Sequence, residues 1–253
     1  MKISSPIARR MGASLLALSA LATMAAGKNW VTEIERGPAS HIIGDPDAVL
    51  TVTDFSSYTC SHCGTFARTG GEIMKLAYVG PGKTRVEIRH VIRNPVDLTA
   101  TLATWCGDKD TFLRNHAAIM FAQEKWLPKV ANATPGQRQR WSTGPIPGRL
   151  RAIASDLDFY EIFETRGIDR PALNQCLADT KLMDTLIGTT MADAETYGIR
   201  VTPSFAIDGE LLDATHSWEA LQPQIQSGLD SADSDVDGSG MPAPVGESAF
   251  SLE

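Results

Sequence analysis

One apolar run and one tightly alternating stretch mark two strands of the chain, and apolar residues recur at helical spacing through its middle. The run from Ala48 to Asp54 and the run from Thr84 to Ile92 (TRVEIRHVI) read as strands, the first preceded by a turn at Gly44, Asp45 and Pro46. Two shorter strands are expected before them, in NWVTEI and SHII. Between the two strong strands, residues 60–79 place apolar side chains one helical turn apart, with Gly70 and Gly71 marking a kink. Strand, helix, strand is a parallel crossover unit. From Asp97 to about Ala194 the pattern is helical throughout, with a Pro- and Gly-marked stretch at Pro128–Gly148. VTPSFAIDGELLD then carries a hairpin signal at Asp208-Gly209, and SWEALQPQIQSGL is an amphipathic helix with Ser217 as its N-cap. The acidic Ser, Gly and Pro tail of residues 230–253 is expected to be disordered. The order is β-α-β, a helical block, then β-β-α, an α/β chain with a core in two parts: residues 30–95 and 196–229, interrupted by a helical insertion over 96–195.

Composition adds limits. A chain of 253 residues with 43% apolar and 21% charged residues can bury a substantial interior. Its net charge of −7 and the absence of any basic stripe argue against nucleic acid as a partner. Lys2, Arg9 and Arg10 precede an uncharged run from Met11 to Gly27 that is rich in small residues. That layout predicts a secretory leader over residues 1–26, and the alternative is a retained membrane tether, for which the run is short of the roughly 20 residues a span needs.

Export changes the reading of the four cysteines, Cys60, Cys63, Cys106 and Cys176, because disulfides persist outside the cytosol. Three pairings are possible, and Cys60–Cys63 with Cys106–Cys176 is the simplest. Cys60 and Cys63, in CSHC, stand where a strand hands over to a helix. A sulfur there faces unpaired N–H groups and the positive end of the helix dipole, which favours its thiolate. The dipole contributes at most ~2 kcal/mol against about 1.4 kcal/mol per pKa unit, so a large depression needs further donors. His62 and the amides of the turn can supply them. Stabilising the thiolate makes the Cys60–Cys63 disulfide the less stable state, ready to be passed on. Cys60 is then the exposed sulfur that forms the mixed disulfide and Cys63, one turn in, the buried partner that resolves it. A structural zinc site would need a second close-spaced ligand pair, and the sequence offers none. Cys106 and Cys176, in helical segments, suit a structural bridge or two buried free thiols.

CSHC after a strand, a helical insertion, and VTP entering the next strand together resemble the DsbA family of bacterial thiol-disulfide oxidoreductases, over about Trp30 to Leu229. The resemblance implies a thioredoxin-like core with an inserted α-helical domain. It also implies a cis proline at Pro203 facing the cysteine pair, with Thr202 offering its backbone to an extended client segment. Asp54 matches the buried acid that thioredoxin-like proteins place beneath the resolving cysteine, with proton transfer to or from Cys63 as its role and a strand-end turn aspartate as the plain alternative. No organic cofactor or metal is implied. The implied partners are unfolded or partly folded exported proteins and a membrane redox partner that reoxidises the pair, in the periplasm. Two departures leave the redox potential open: Ser-His rather than Pro-His between the cysteines, and Thr before Pro203. The alternatives are a disulfide isomerase or reductase, and a non-catalytic peptide-binding module on the same fold. His41, His90, His116 and His216 form no ligand spacing and read as structural or solvated, while Trp105, Phe112 and Phe121 read as core.

Overall fold

The computed structural model describes residues 28–238. A 3-10 turn at Trp30–Thr32 leads into β1 (Ile34–Arg36) and β2 (Ser40–Ile43), followed by β3 (Leu50–Ser56), α1 (Ser61–Arg68), α2 (Gly70–Met74) with a π-turn over Lys75–Val79, and β4 (Thr84–His90). Eight helices come next: α3 (Pro95–Thr104), α4 (Phe112–Phe121), α5 (Gln123–Ala131), α6 (Pro135–Ser142), α7 (Ile146–Asp156), α8 (Phe159–Glu164), α9 (Arg170–Cys176) and α10 (Thr180–Thr196). The chain then returns through β5 (Ser204–Ile207), β6 (Glu210–Leu211) and α11 (Trp218–Gly238).

The sheet runs β1-β2-β4-β3-β5-β6. Only β3 and β4 are parallel, joined by the α1–α2 crossover, and β5 pairs antiparallel with the other edge of β3. β3 therefore lies inside the sheet, with Val52 and Phe55 fully buried and its C-terminal end delivering the chain to α1. The helix breaks between α1 and α2 at Thr69, whose φ and ψ are −118° and −88°. Gly70 is required there: a Cβ would lie 2.4 Å from the Trp218 Cβ, so only a bare backbone lets α11 pack this close. At the β5–β6 hairpin, Asp208 (φ 47°) and Gly209 (φ 87°) both take the left-handed conformation that a two-residue turn of this hand demands.

The architecture is a thioredoxin-like fold with a helical insertion, as the sequence predicts, but several boundaries move. The first expected strand is a 3-10 turn up to Thr32, and strand pairing begins only at Ile34. β4 ends at His90, two residues early. α3 starts at Pro95 rather than Asp97, because Asn94 caps it by accepting from the Val96 and Asp97 amides. The tail expectation is corrected over 230–238, where α11 continues to Gly238. Its small polar residues bond back along the helix, Ser231 Oγ donating to the Ser227 carbonyl and Ser234 Oγ to the Asp230 carbonyl. Residues 239–253 and the leader over 1–26 lie outside the described residues. No helix among the described residues is long and apolar enough to cross a membrane. Cys106 and Cys176, just after α3 and at the end of α9, are joined by a disulfide with a sequence separation of 70.

Candidate active site

β3 ends at Ser56, and the turn Ser57–Thr59 carries the chain to Cys60, the N-cap of α1. Cys60 keeps extended dihedrals (φ −95°, ψ 117°), so its sulfur looks along the open N–H groups of the first turn. Across the gap the Thr202–Pro203 peptide is cis, and the Cys60 thiol donates to the Thr202 carbonyl at 3.0 Å. Cys63, one turn into the helix, is fully buried, and its sulfur accepts from the Ser57 amide at 3.5 Å. Both Cys60 and Cys63 are free thiols.

The turn is held from two sides. Buried Asp97, in the first turn of α3, accepts from Ser57 Oγ (2.8 Å), the Thr59 amide (2.9 Å) and Thr59 Oγ1 (2.9 Å), as well as from the Arg93 amide and Asn94 Nδ2. From the insertion, buried Gln123 donates its amide to both the Tyr58 carbonyl (2.7 Å) and the Cys60 carbonyl (2.8 Å). Gly64 makes room for that amide, since a Cβ there would sit 2.1 Å from Gln123 Oε1. Beneath the turn, Tyr58 Oη donates to Thr104 Oγ1 (3.0 Å) and meets His116 Nδ1 at 2.9 Å, in a buried cluster that also contains His90 and His41. Burial holds all three imidazoles well below their usual titration range, so they are neutral.

The two sulfurs are driven apart electrostatically. The Cys60 thiol is brought down to about 5, first by a hydrogen bond from Cys63 and then, against the opposing effect of burial, by the Thr202 side chain and the backbone amides of Cys63 and His62. Two Thr202 groups therefore act on this sulfur with opposite effect: the carbonyl accepts from the thiol and favours it, while the buried hydroxyl, which has no hydrogen-bond partner among the described residues, favours the thiolate. Burial, the Cys60 hydrogen bond and the Cys60 and Asp54 charges push Cys63 well above the ordinary thiol range. Asp54, on β3 opposite Ile88 and Phe205, is 4% exposed, and its Oδ1 has no partner among the described residues. Burial, and behind it the Cys60 charge, raise its carboxyl from 3.8 to about 7. It borders a narrow cleft between α1–α2 and α4 that is also lined by Phe66, Leu113, His116 and Phe121. The arrangement provides one stabilised thiolate, one protonated thiol behind it, and a carboxyl that can gain or lose a proton near neutrality.

The family model described as "Thioredoxin" matches residues 36–227, about three quarters of the chain. The chain belongs to the thioredoxin family. A solved structure described as a protein-disulfide isomerase from Novosphingobium aromaticivorans is 41% identical, with a TM-score of 0.73, over 76% of this chain and 98% of that one. The Wolbachia pipientis alpha-DsbA1 structure shares the fold at 19% identity and a TM-score of 0.64, covering 79% of this chain and 96% of that one. A Rickettsia bellii protein provisionally named a protein-disulfide oxidoreductase is 23% identical over 197 residues, 78% of this chain and 67% of its own length. Its Rickettsia typhi counterpart is spanned over only 54% of its length.

Within this thioredoxin-family frame, Cys60, Cys63, Thr202 and Pro203 come together, Asp54 lies close enough for its charge to act on Cys63, and exposed His62 lines a groove with Thr202. One expectation is corrected: Cys60 is only 8% exposed, because the cis-proline loop covers its sulfur from one side and helix α1 from the other. Phe121 is also no core residue; it is 45% exposed at the mouth of the cleft beside Asp54. His41, His90 and His116 are structural and buried, whereas His216 is exposed and bonded to the Pro203 carbonyl. The sequence reading missed Asp97, Gln123 and Tyr58. Asp97 had a signal, since Asn-Pro-x-Asp is a helix start with an acid in its first turn. Gln123, 63 residues from the carbonyl it holds, had none.

Proposed function

We propose that this chain is an exported, periplasmic thiol-disulfide oxidoreductase that donates a Cys60–Cys63 disulfide to folding proteins. The observation that carries this reading is the Cys60 sulfur at the helix start, 3.0 Å from the Thr202 carbonyl, favoured as an anion while Cys63 behind it is favoured as a thiol. A client thiolate attacks Cys60 of the disulfide; the Cys60–Cys63 bond breaks, and Cys63 leaves with the electron pair and takes a proton, for which Asp54 is the donor. A second client thiolate then attacks the client sulfur of the mixed disulfide and expels Cys60 as its stable thiolate. The client dithiol has become a disulfide and the enzyme disulfide a dithiol, so the electrons balance with no organic cofactor or metal. A membrane partner that accepts the two electrons restores the pair. Thr202 and Pro203 receive the client segment, and His62 sits beside the reacting sulfur.

Equilibration in glutathione buffers, together with thiolate absorbance against pH, tests the reading. An oxidising potential and a Cys60 midpoint several units below 9 are expected, and a strongly reducing potential with an ordinary thiol midpoint overturns it. The isomerase description of the 41% identical neighbour favours a second reading. Refolding a scrambled multi-disulfide protein separates the two, because an oxidase accelerates disulfide formation in the reduced protein and an isomerase the rearrangement of the scrambled one. A peptide-binding module, in contrast, keeps its client affinity as Cys60→Ala and exchanges nothing even when intact.

A further inference from the structure

Beside the cysteine pair runs a shallow groove lined by His62, Val201, Thr202, Ala214, His216 and Ala220. Val201, Ala214 and Ala220 form its apolar walls, with Val201 51% exposed, and its polar edges are Thr202, Ser217 and two exposed imidazoles. His216 is fixed in place by the loop that carries it. His216 Nδ1 lies 2.8 Å from the Pro203 carbonyl. A carbonyl oxygen only accepts, so Nδ1 must carry the proton, and in the neutral ring Nε2 is left with a free lone pair. The loop behind it is built to hold this pose. Ala214 takes φ 48°, a left-handed conformation that a residue with a Cβ rarely adopts without support. That support comes from buried Thr215, whose hydroxyl donates to the Asp213 carbonyl at 2.9 Å and accepts from Gln224 Nε2 on α11 at 2.7 Å. Leu212 is tied to the Phe205 carbonyl at 2.8 Å, so both ends of the loop are anchored, one to β5 and the other to α11.

We propose that His216 is a positioning residue for exchange with clients: Nδ1–H clamps the Pro203 carbonyl and thereby holds Thr202 against Cys60, while Nε2 accepts a hydrogen bond from the client segment lying in the groove. The chemistry of the groove selects an extended apolar segment that offers an N–H donor beside its cysteine. This inference rests on the exchange reading given above.

The test uses the full chain, His216→Ala and His216→Asn, with an unstructured peptide containing one cysteine pair as probe. Asn places its Nδ2 where Nδ1 stood, so it keeps the clamp and removes Nε2. His216→Ala is expected to raise KM about tenfold and to lower kcat, whereas His216→Asn restores kcat and keeps KM raised about fivefold, the loss of one neutral hydrogen bond. An Ala variant with the parent's KM and kcat overturns the proposal, and so does an Asn variant as impaired in kcat as Ala. Nitrogen NMR of the ring at pH 8 gives a readout without turnover: an Nδ1–H tautomer is expected, and an Nε2–H tautomer overturns the clamp. Reaction of the intact protein with dithiothreitol keeps the two readings apart. If Cys60–Cys63 exchanges with that small dithiol while peptide turnover ignores His216, only the present inference falls; if the intact protein does not exchange at all, the functional reading falls first.

Discussion

Replacing Asp54 by Asn is predicted to remove a pH-dependent loss of stability. The carboxyl rises from 3.8 to about 7 in the folded protein, which at about 1.4 kcal/mol per pKa unit corresponds to about 4 kcal/mol against charging it in place. Because the folded value lies above the unfolded one, the folded state holds the proton between pH 4 and 7 while the unfolded state has released it. Stability therefore falls as pH rises through that window, and the full cost is present above pH 7. Asn has no proton to lose. Relative to the parent, Asp54→Asn is expected to be close to neutral at pH 4 and to gain up to about 4 kcal/mol at pH 8, an upper value because the amide still lacks a partner where Oδ1 lacks one. Urea unfolding of both proteins at pH 4, 6 and 8 measures the difference. The reduced form should show the larger gain, since the Cys60 charge is the second cause of the raised carboxyl. Parallel stability curves for the two proteins across this range would refute the reasoning. A second readout follows from the proposed proton transfer: if Asp54 supplies the proton to Cys63, oxidation of a client dithiol slows in the variant near neutrality.

Gly64→Ala is expected to cost about 2–3 kcal/mol, because its Cβ would meet Gln123 Oε1 at 2.1 Å and displace the amide that holds the Tyr58 and Cys60 carbonyls; denaturant midpoints check this. Cys106→Ser with Cys176→Ser should lower stability by about 4 kcal/mol, the chain-entropy value for a loop of this length, and a change below 1 kcal/mol would contradict it. The buried imidazoles of His41, His90 and His116 all titrate below their unfolded range. The unfolded state then binds more protons below about pH 6.5, and stability should fall with acid by up to about 1.4 kcal/mol per pH unit for each histidine. A His116→Gln variant should flatten that slope by about one proton in unfolding titrations.

The strands and the cysteine pair were legible because they depend on local pattern: Val86 and Ile88 alternate with polar residues along β4, the apolar run up to Asp54 marks buried β3, and Cys60 and Cys63 are three residues apart on one helical turn. Asp208-Gly209 announced its hairpin through the conformations its two residues tolerate. What was not legible depends on contacts between distant segments. Nothing near Gln123 says that its amide will reach the Cys60 carbonyl. His41, His90 and His116 show no common spacing because three different elements bring them together around Phe112. Phe121 has the right period for the core, but the helix face it occupies ends at a cleft. The acidic tail read as disordered on composition alone, while α11 runs on to Gly238, with Ser231 and Ser234 bonding back to carbonyls one turn earlier.

The amide of Gln123 makes the two halves of this molecule mutually dependent. The inserted lobe could not be exchanged freely for another of similar size, because one of its side chains holds the carbonyls of Tyr58 and Cys60. Transplanting the cysteine turn onto a foreign lobe would therefore require a long carboxamide at the matching place and a bare backbone at the position of Gly64 to receive it. Loosening the lobe by heat or denaturant should then disturb the sulfur before the sheet beneath it yields.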